Sequence, residues 1–143
     1  MKHVFLILPS RRLVIESFAD KVGLEDYIAF KNEQLAHPDF NPEFDVLSDL
    51  RWTEFVFPPE DLNKLADYFK ENVKVDIDRK GCLLTFQPMQ TAYSMLFERH
   101  MTGSVVTWQV CTTEVEALSW LHYPLNLTEL KRTLEELKNE SLM

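Results

Sequence analysis

The sequence predicts an α/β domain: a mixed, largely parallel sheet of four to five strands with helices packed on it. Three observations carry that expectation. Two apolar, partly β-branched runs, His3 to Leu8 and Arg11 to Phe18, open the chain with only Pro9-Ser10 dividing them. Every later apolar run is then separated from the next by a segment of helical spacing. The later runs are also short and apolar on both alternating faces, as in strands covered on two sides.

Each element follows from its residues. The opening runs read as a hairpin or a pair of neighbouring strands. Gly23 precedes a helical pattern in which Leu24, Tyr27, Ile28, Lys31 and Leu35 share a face, and Pro38 stops it. Asp39, Asn41 and Pro42 connect to a strand from Asp45 to Arg51, with Val46, Leu47 and Leu50 apolar. A loop holding Trp52, Phe55 and Phe57 follows. Pro59, Glu60 and Asp61 open the second helix, where proline needs no amide partner and acids suit the positive end. Leu62, Leu65, Ala66 and Phe69 are its apolar stripe. Gly81 leads into a strand from Cys82 to Phe86. Pro88 starts a third helix with Ala92, Met95, Leu96 and Arg99 on one side; Gly103 ends it. Val105 to Cys111 is the last strand. Thr113 caps a short helix running to Leu121, with Glu116 at capping-box spacing. Beyond Pro124, Leu127, Leu130, Leu134 and Leu137 mark an added C-terminal helix over 125–140. With no repeat, low-complexity tract or long linker, residues 1–143 read as one domain.

Composition narrows the function classes. A hydrophobic fraction of 45% and a charged fraction of 27% are ordinary for a soluble globular protein. A formal net charge of -8 argues against nucleic acid and against an anionic membrane surface. The basic pairs Arg11-Arg12, Arg79-Lys80 and Lys131-Arg132 read as solvated charge beside turns or on helix faces. Met1 to Leu8 starts like a signal peptide, but its apolar run is too short and Arg11-Arg12 follow. No apolar run is long enough for a membrane span. Cys82 and Cys111 lie in or at the end of apolar strand-like runs and read as buried free thiols. A cytoplasmic location is expected.

The order β-β-α-β-α-β-α-β-α, from about Val4 to Leu121, resembles the anti-sigma-factor-antagonist fold, in the SpoIIAA-like branch of the STAS group. The similarity is sharper at Gly23-Leu-Glu-Asp-Tyr27 and at His37-Pro-Asp-Phe40, leading through Phe44-Asp-Val-Leu47 to Asp49-Leu-Arg51. It is sharp again at Glu114-Val-Glu-Ala-Leu-Ser-Trp-Leu121. The resemblance implies a SpoIIAA-like fold and a regulatory or protein-interaction role without catalysis. It also implies an Asp-Ser-Ser-Gly motif after the Asp-Leu strand end. Here Phe57-Pro-Pro-Glu60 stands there, and no serine or threonine occurs from Glu54 to Leu84. Proline cannot accept a phosphoryl group, and a carboxylate mimics phosphoserine weakly. The fold carries over and the phosphorylation switch does not.

Three candidate sites remain. Asp49 and Arg51 sit where α/β folds collect ligands, at a strand's carboxyl end; equally, Asp49 serves the following turn and Arg51 a surface pair. Trp52, Phe55 and Phe57 crowd a loop, where they either cover the core edge or present a surface for a protein partner or small apolar ligand. Leu130, Leu134 and Leu137 need cover from their own domain or from a second copy, which makes them a homodimer candidate. The four histidines show no ligand spacing with each other or with the cysteines, so no metal is expected. Three glycines in all leave no phosphate cradle, and no cofactor is expected.

Overall fold

The computed structural model describes residues 3–73 and 77–143. Strands β1 (Val4–Leu8) and β2 (Leu13–Val22) form an antiparallel hairpin, with Val4 opposite Ser17 and Leu8 opposite Leu13. Pro9–Arg11 make a single 3-10 turn between them, closed by Arg12 at φ 51°. After the hairpin come α1 (Leu24–Leu35), β3 (Asp45–Phe55), α2 (Leu62–Asn72), β4 (Arg79–Leu84) and α3 (Pro88–His100). β5 (Val106–Cys111), α4 (Glu114–Trp120) and α5 (Leu127–Ser141) complete the chain. The five strands lie in the order β1-β2-β3-β4-β5, and all neighbours from β2 to β5 are parallel. This is the mixed, mostly parallel sheet expected.

Consecutive crossovers stepping in one direction put α1, α2 and α3 on the same face. There Val14, Phe18, Val46, Leu83 and Trp108 meet Phe30, Leu65, Phe69 and Phe97. The other face carries Leu13, Ile15, Leu47, Cys82, Leu84 and Cys111 against α4 and α5. Both thiols are buried and free, as expected. Gly81 is required by its neighbour across the ladder: a Cβ there would stand 2.3 Å from the Trp108 ring.

The buried charges differ from expectation. Lys31 lies on the apolar face of α1, as its spacing says, and is itself buried. Its ammonium donates to Glu16 of β2 at 2.5 Å and to Gln34 at 2.9 Å, and lies 5.1 Å from the Phe69 ring centre. The Gln34 amide and the Ser48 hydroxyl donate to the same Glu16 carboxylate. Burial pushes the Lys31 pKa down, while the charge and hydrogen bond of Glu16 oppose that shift. Arg79 is buried as well, not solvated: it donates to the Pro42 carbonyl at 2.8 Å, and burial lowers its pKa to about 10.

Three element readings are corrected. β3 runs on to Phe55, because β2 is equally extended and pairs with it as far as Val22 opposite Phe55; Trp52 and Phe55 are therefore strand residues, not loop residues. β4 begins at Arg79 and ends at Leu84, leaving Phe86 outside it. α3 buries Gln90, Tyr93, Ser94 and Phe97, so Met95 faces outward. In α5, Leu130, Leu134 and Leu137 are buried against the chain's own β1 and β2. The surface that recommended a homodimer is thus covered within one chain.

Removing one member of a buried ion pair strands the other charge, at a cost of about 3–5 kcal/mol. Lys31→Met is expected to lower stability on that scale in urea unfolding, and adding Glu16→Leu to recover part of it. Gly81→Ala, by driving a methyl group into Trp108, is expected to cost about 1–3 kcal/mol in the same measurement.

Candidate functional site at the carboxyl end of the sheet

β3 outruns β4, since their last pair is Asp49 opposite Leu84. Its overhang, from Leu50 to Phe55, is paired only with β2 and contains a bulge. Between Ser17 opposite Asp49 and Ala19 opposite Trp52, two steps along β2 match three along β3. Such an extra residue re-aims the side chains beside it. Arg51 and Trp52, though consecutive, come together on the α4–α5 side. The guanidinium carbon lies 5.4 Å from the Trp52 ring centre and 5.1 Å from that of Phe86. Trp52 and Phe86 meet edge to face at 5.4 Å, and the Lys138 ammonium of α5 covers Trp52 at 4.6 Å.

Arg51 is fully engaged. Its Nε and one terminal nitrogen donate to the two oxygens of Asp49 at 2.8 and 3.0 Å. The other terminal nitrogen donates to Glu114, the first residue of α4, at 2.8 Å. Asp49 is wholly buried and also accepts the Arg51 backbone amide at 3.2 Å. Burial alone would raise the Glu114 pKa. Its own backbone amide and the Arg51 guanidinium outweigh burial and hold the carboxyl below its usual value. The cluster carries two acids and one base, and it ties β3 to the start of α4. Thr113, accepting the Glu116 amide at 3.1 Å, caps that helix as its sequence spacing says.

On the opposite face the aromatics plug the sheet end. Phe55 stacks on Tyr93 at 5.2 Å, and Phe57 meets Tyr93 edge to face at 5.6 Å. The Tyr93 hydroxyl donates to the Phe57 carbonyl at 2.6 Å. Beneath them lies a cavity of about 30 Å³, bordered by Tyr27, Leu50, Phe55, Phe57 and the hydroxyl residues Ser48 and Ser94. Among the described residues, the Ser94 hydroxyl buried there has no hydrogen-bond partner. A drug-sized ligand needs about 300–1,000 Å³, so this space holds roughly one water.

Gln90 joins the two faces. Its amide nitrogen donates to the carbonyls of Arg51 and Thr53 at 3.1 and 2.9 Å. Its oxygen accepts the backbone amides of Phe86 and Gln87, both at 2.9 Å. A side chain thus stands in for the missing β4 neighbour. Above it runs an open groove of about 360 Å³ between the end of β3 and the start of α3, lined by residues that include Glu54, Phe55 and Met89. Met89 in its wall is exposed, as are Val56 after β3, Phe86 before α3 and Met95 on α3, each at least half.

Of the residues expected here, Arg51, Asp49 and Trp52 are brought together. Phe55 and Phe57 belong to the plug on the other face, and Asp49 and Phe57 are too deep to touch a partner. Sequence reasoning missed Gln90, Phe86, Met89 and Tyr93. The spacing of Gln90, Tyr93, Ser94 and Phe97 was the available signal, masked by two polar residues on a buried face. Among the described residues, no group of three or more His, Cys, Asp or Glu side chains could hold a metal ion, and no helix is long and apolar enough to cross a membrane.

A hairpin-led, mostly parallel sheet with helices on both faces and an added C-terminal helix defines a SpoIIAA-like α/β module, and the chain has that fold. It is similar to the crystal structure of an uncharacterized DUF3478-family protein with a SpoIIAA-like fold from Shewanella loihica PV-4. The TM-score is 0.55 at 17% identity, covering 84% of this chain and 94% of that one. That likeness carries the fold and no activity. No family model and no curated protein matches the sequence.

The depressed Glu114 pKa has a consequence in acid. A carboxyl held below its unfolded value of 4.5 stabilises the fold above that pH, and the contribution is lost as pH falls through the folded value. Glu114→Gln is expected to remove this part of the acid dependence. Unfolding curves of the two proteins, compared from neutral pH into that range, read the difference directly.

Proposed function

We propose that this chain is a non-enzymatic regulatory or protein-interaction module that meets its partner at the carboxyl end of its sheet. The observation that carries the reading is the open groove of about 360 Å³ at the end of β3, whose wall includes Phe55, Pro88 and the exposed Met89. Exposed apolar side chains in a surface groove mark a contact site more often than decoration. At the same end of the sheet the charged groups are already matched to one another, Arg51 by Asp49 and Glu114. That arrangement supports binding over acid–base chemistry, which needs titratable groups converging on open space.

Control by a serine kinase of the antagonist type is not part of this reading. Phe57 is buried with its carbonyl held by Tyr93, and Pro58 and Pro59 lead into α2. Thr53, the nearest hydroxyl, is buried and donates to the Asp20 carbonyl at 2.8 Å. Nor is a homodimer through α5. A cytoplasmic location belongs to the reading, supported by two free thiols in the core.

A second reading, a carrier or sensor of a small apolar ligand, is favoured by one observation: the cavity behind Phe55 and Phe57, with the unpartnered Ser94 hydroxyl in its wall. Occupancy would require Phe55 and Tyr93 to swing outward.

The test uses the chain purified from its native host. The module reading expects a defined partner whose cross-links fall at Phe86 to Met95 and whose capture is lost in the double variant Met89→Ser/Met95→Ser. Peptide mapping of the same material is expected to show no phosphate from Glu54 to Tyr68. Cross-links confined to other faces, or a stoichiometric apolar molecule in solvent extracts, would displace the module reading.

A further inference from the structure

The outer edge of the sheet holds a second open space, of about 500 Å³, where β5 meets the end of α4. That volume lies in the range of small-molecule sites. Lys80 of β4 is part of its wall. The ammonium lies 4.6 Å from the Trp120 ring centre, donates to the Trp120 carbonyl at 3.2 Å and stands 2.7 Å from Nε2 of His122. An ammonium has no lone pair, so the imidazole nitrogen is the acceptor. Two consecutive left-handed residues bring that ring into place: His122 at φ 59° and Tyr123 at φ 56° turn the chain back after α4. The Trp120 ring is fixed in turn, its indole nitrogen donating to the Gly81 carbonyl at 2.9 Å.

The groups that hold this ammonium are a carbonyl, a ring face and an imidazole lone pair, and none of them brings a negative charge. Among the described residues, no carboxylate lies within ion-pair distance of it. Two acids of the same neighbourhood are engaged otherwise. Asp45 accepts the Lys80 backbone amide at 2.8 Å, and Glu116, in the same wall, accepts the hydroxyls of Thr112 and Thr113. Arg51 shows the contrast, being matched by Asp49 and Glu114. A cation held in one place beside open space, with no counter-charge, is suited to an anion.

The rest of the wall limits which anion. Val115 and Tyr123 are each more than half exposed there, and with Trp120 they offer apolar surface. A single ammonium with Glu116 in the same wall, on a chain of net charge -8, opposes a doubly charged ligand.

We infer that the space between β5 and the end of α4 takes a small monocarboxylate with an apolar body, its carboxylate on Lys80 and its body against Val115, Trp120 and Tyr123. The site shares no residue with the groove at the end of β3 and stands independently of the interaction-module reading.

Three probes test it: 3-phenylpropionate, its neutral amide, and the doubly charged phenyl phosphate. Each is titrated into the intact chain while backbone amide shifts are followed. The carboxylate is expected to give saturable shifts centred on Lys80, Val115, Trp120, His122 and Tyr123. It should bind at least about tenfold more tightly than the amide and more tightly than the phosphate. Binding should weaken with added salt. It should be lost in Lys80→Gln and reduced in Tyr123→Ser, with the fold of both checked by circular dichroism.

Equal affinity for the amide overturns the inference, because the ammonium is then not being read. So do tighter binding of phenyl phosphate, binding that survives Lys80→Gln, shifts confined to other faces, and the absence of a saturable shift with the carboxylate. The amide and salt comparisons need no variant, so they decide the matter even where Lys80→Gln does not fold.

Discussion

A strand that outruns its neighbour exposes amides and carbonyls that must find partners. In this chain the problem arises at β3, which continues to Phe55 after β4 has stopped at Leu84. One side chain meets it: Gln90 donates to two carbonyls of the overhang and accepts two amides at the start of α3. Much at the carboxyl end depends on that arrangement. It fixes where α3 begins, and it sets Tyr93 one turn along to hold the Phe57 carbonyl. It also leaves Phe86 and Met89 on the outside, because the residues between β4 and α3 have to climb over the overhang. The exposed rim is the outer consequence of an inward-facing amide.

β3 also joins the two layers of the fold. Consecutive residues Ser48 and Asp49 point to opposite faces, as strand geometry demands. Ser48 donates to Glu16, which binds Lys31 and Gln34 of α1. Asp49 holds Arg51, which reaches Glu114 of α4. Each polar group is buried or half-buried and each is matched, the condition under which such clusters are tolerable. Apolar packing alone would let a helix slide along a sheet of similar side chains. A charge that must meet one particular carboxylate gives α1 a single register on β2, and α4 a single register on β3.

Much of this order was legible in the residues. Paired opening runs and alternation gave the mixed sheet, Leu62, Leu65, Ala66 and Phe69 gave the inner face of α2, and Thr113 with Glu116 gave the cap of α4. What escaped has physical causes. Trp52 to Phe57 looked like a loop because Pro58 and Pro59 announce a break, yet strand extent is set by the partner, and β2 offered pairing through Val22. The buried side of α3 escaped because its two polar members, Gln90 and Ser94, are invisible to an apolar count. Arg79 escaped because a basic pair ordinarily means water, and only the fold brings Pro42 and Asp45 beside it. Of the candidate site, the Asp49–Arg51 pair and the crowding of aromatics could be read. Their separation onto two faces could not, because a bulge does not appear in an alternating pattern.

The segment that replaces the phosphorylatable motif is more than a deletion of serine. Phe57 fills the sheet end against Phe55 and Tyr93, and the two prolines hold the turn that starts α2 without needing amide partners. Only Phe57 is anchored inward, by its ring and its carbonyl; Pro58, Pro59 and Glu60 are exposed. At the positions of the two serines it is therefore the chemistry of proline, which carries no hydroxyl, and not burial that bars a phosphoryl group.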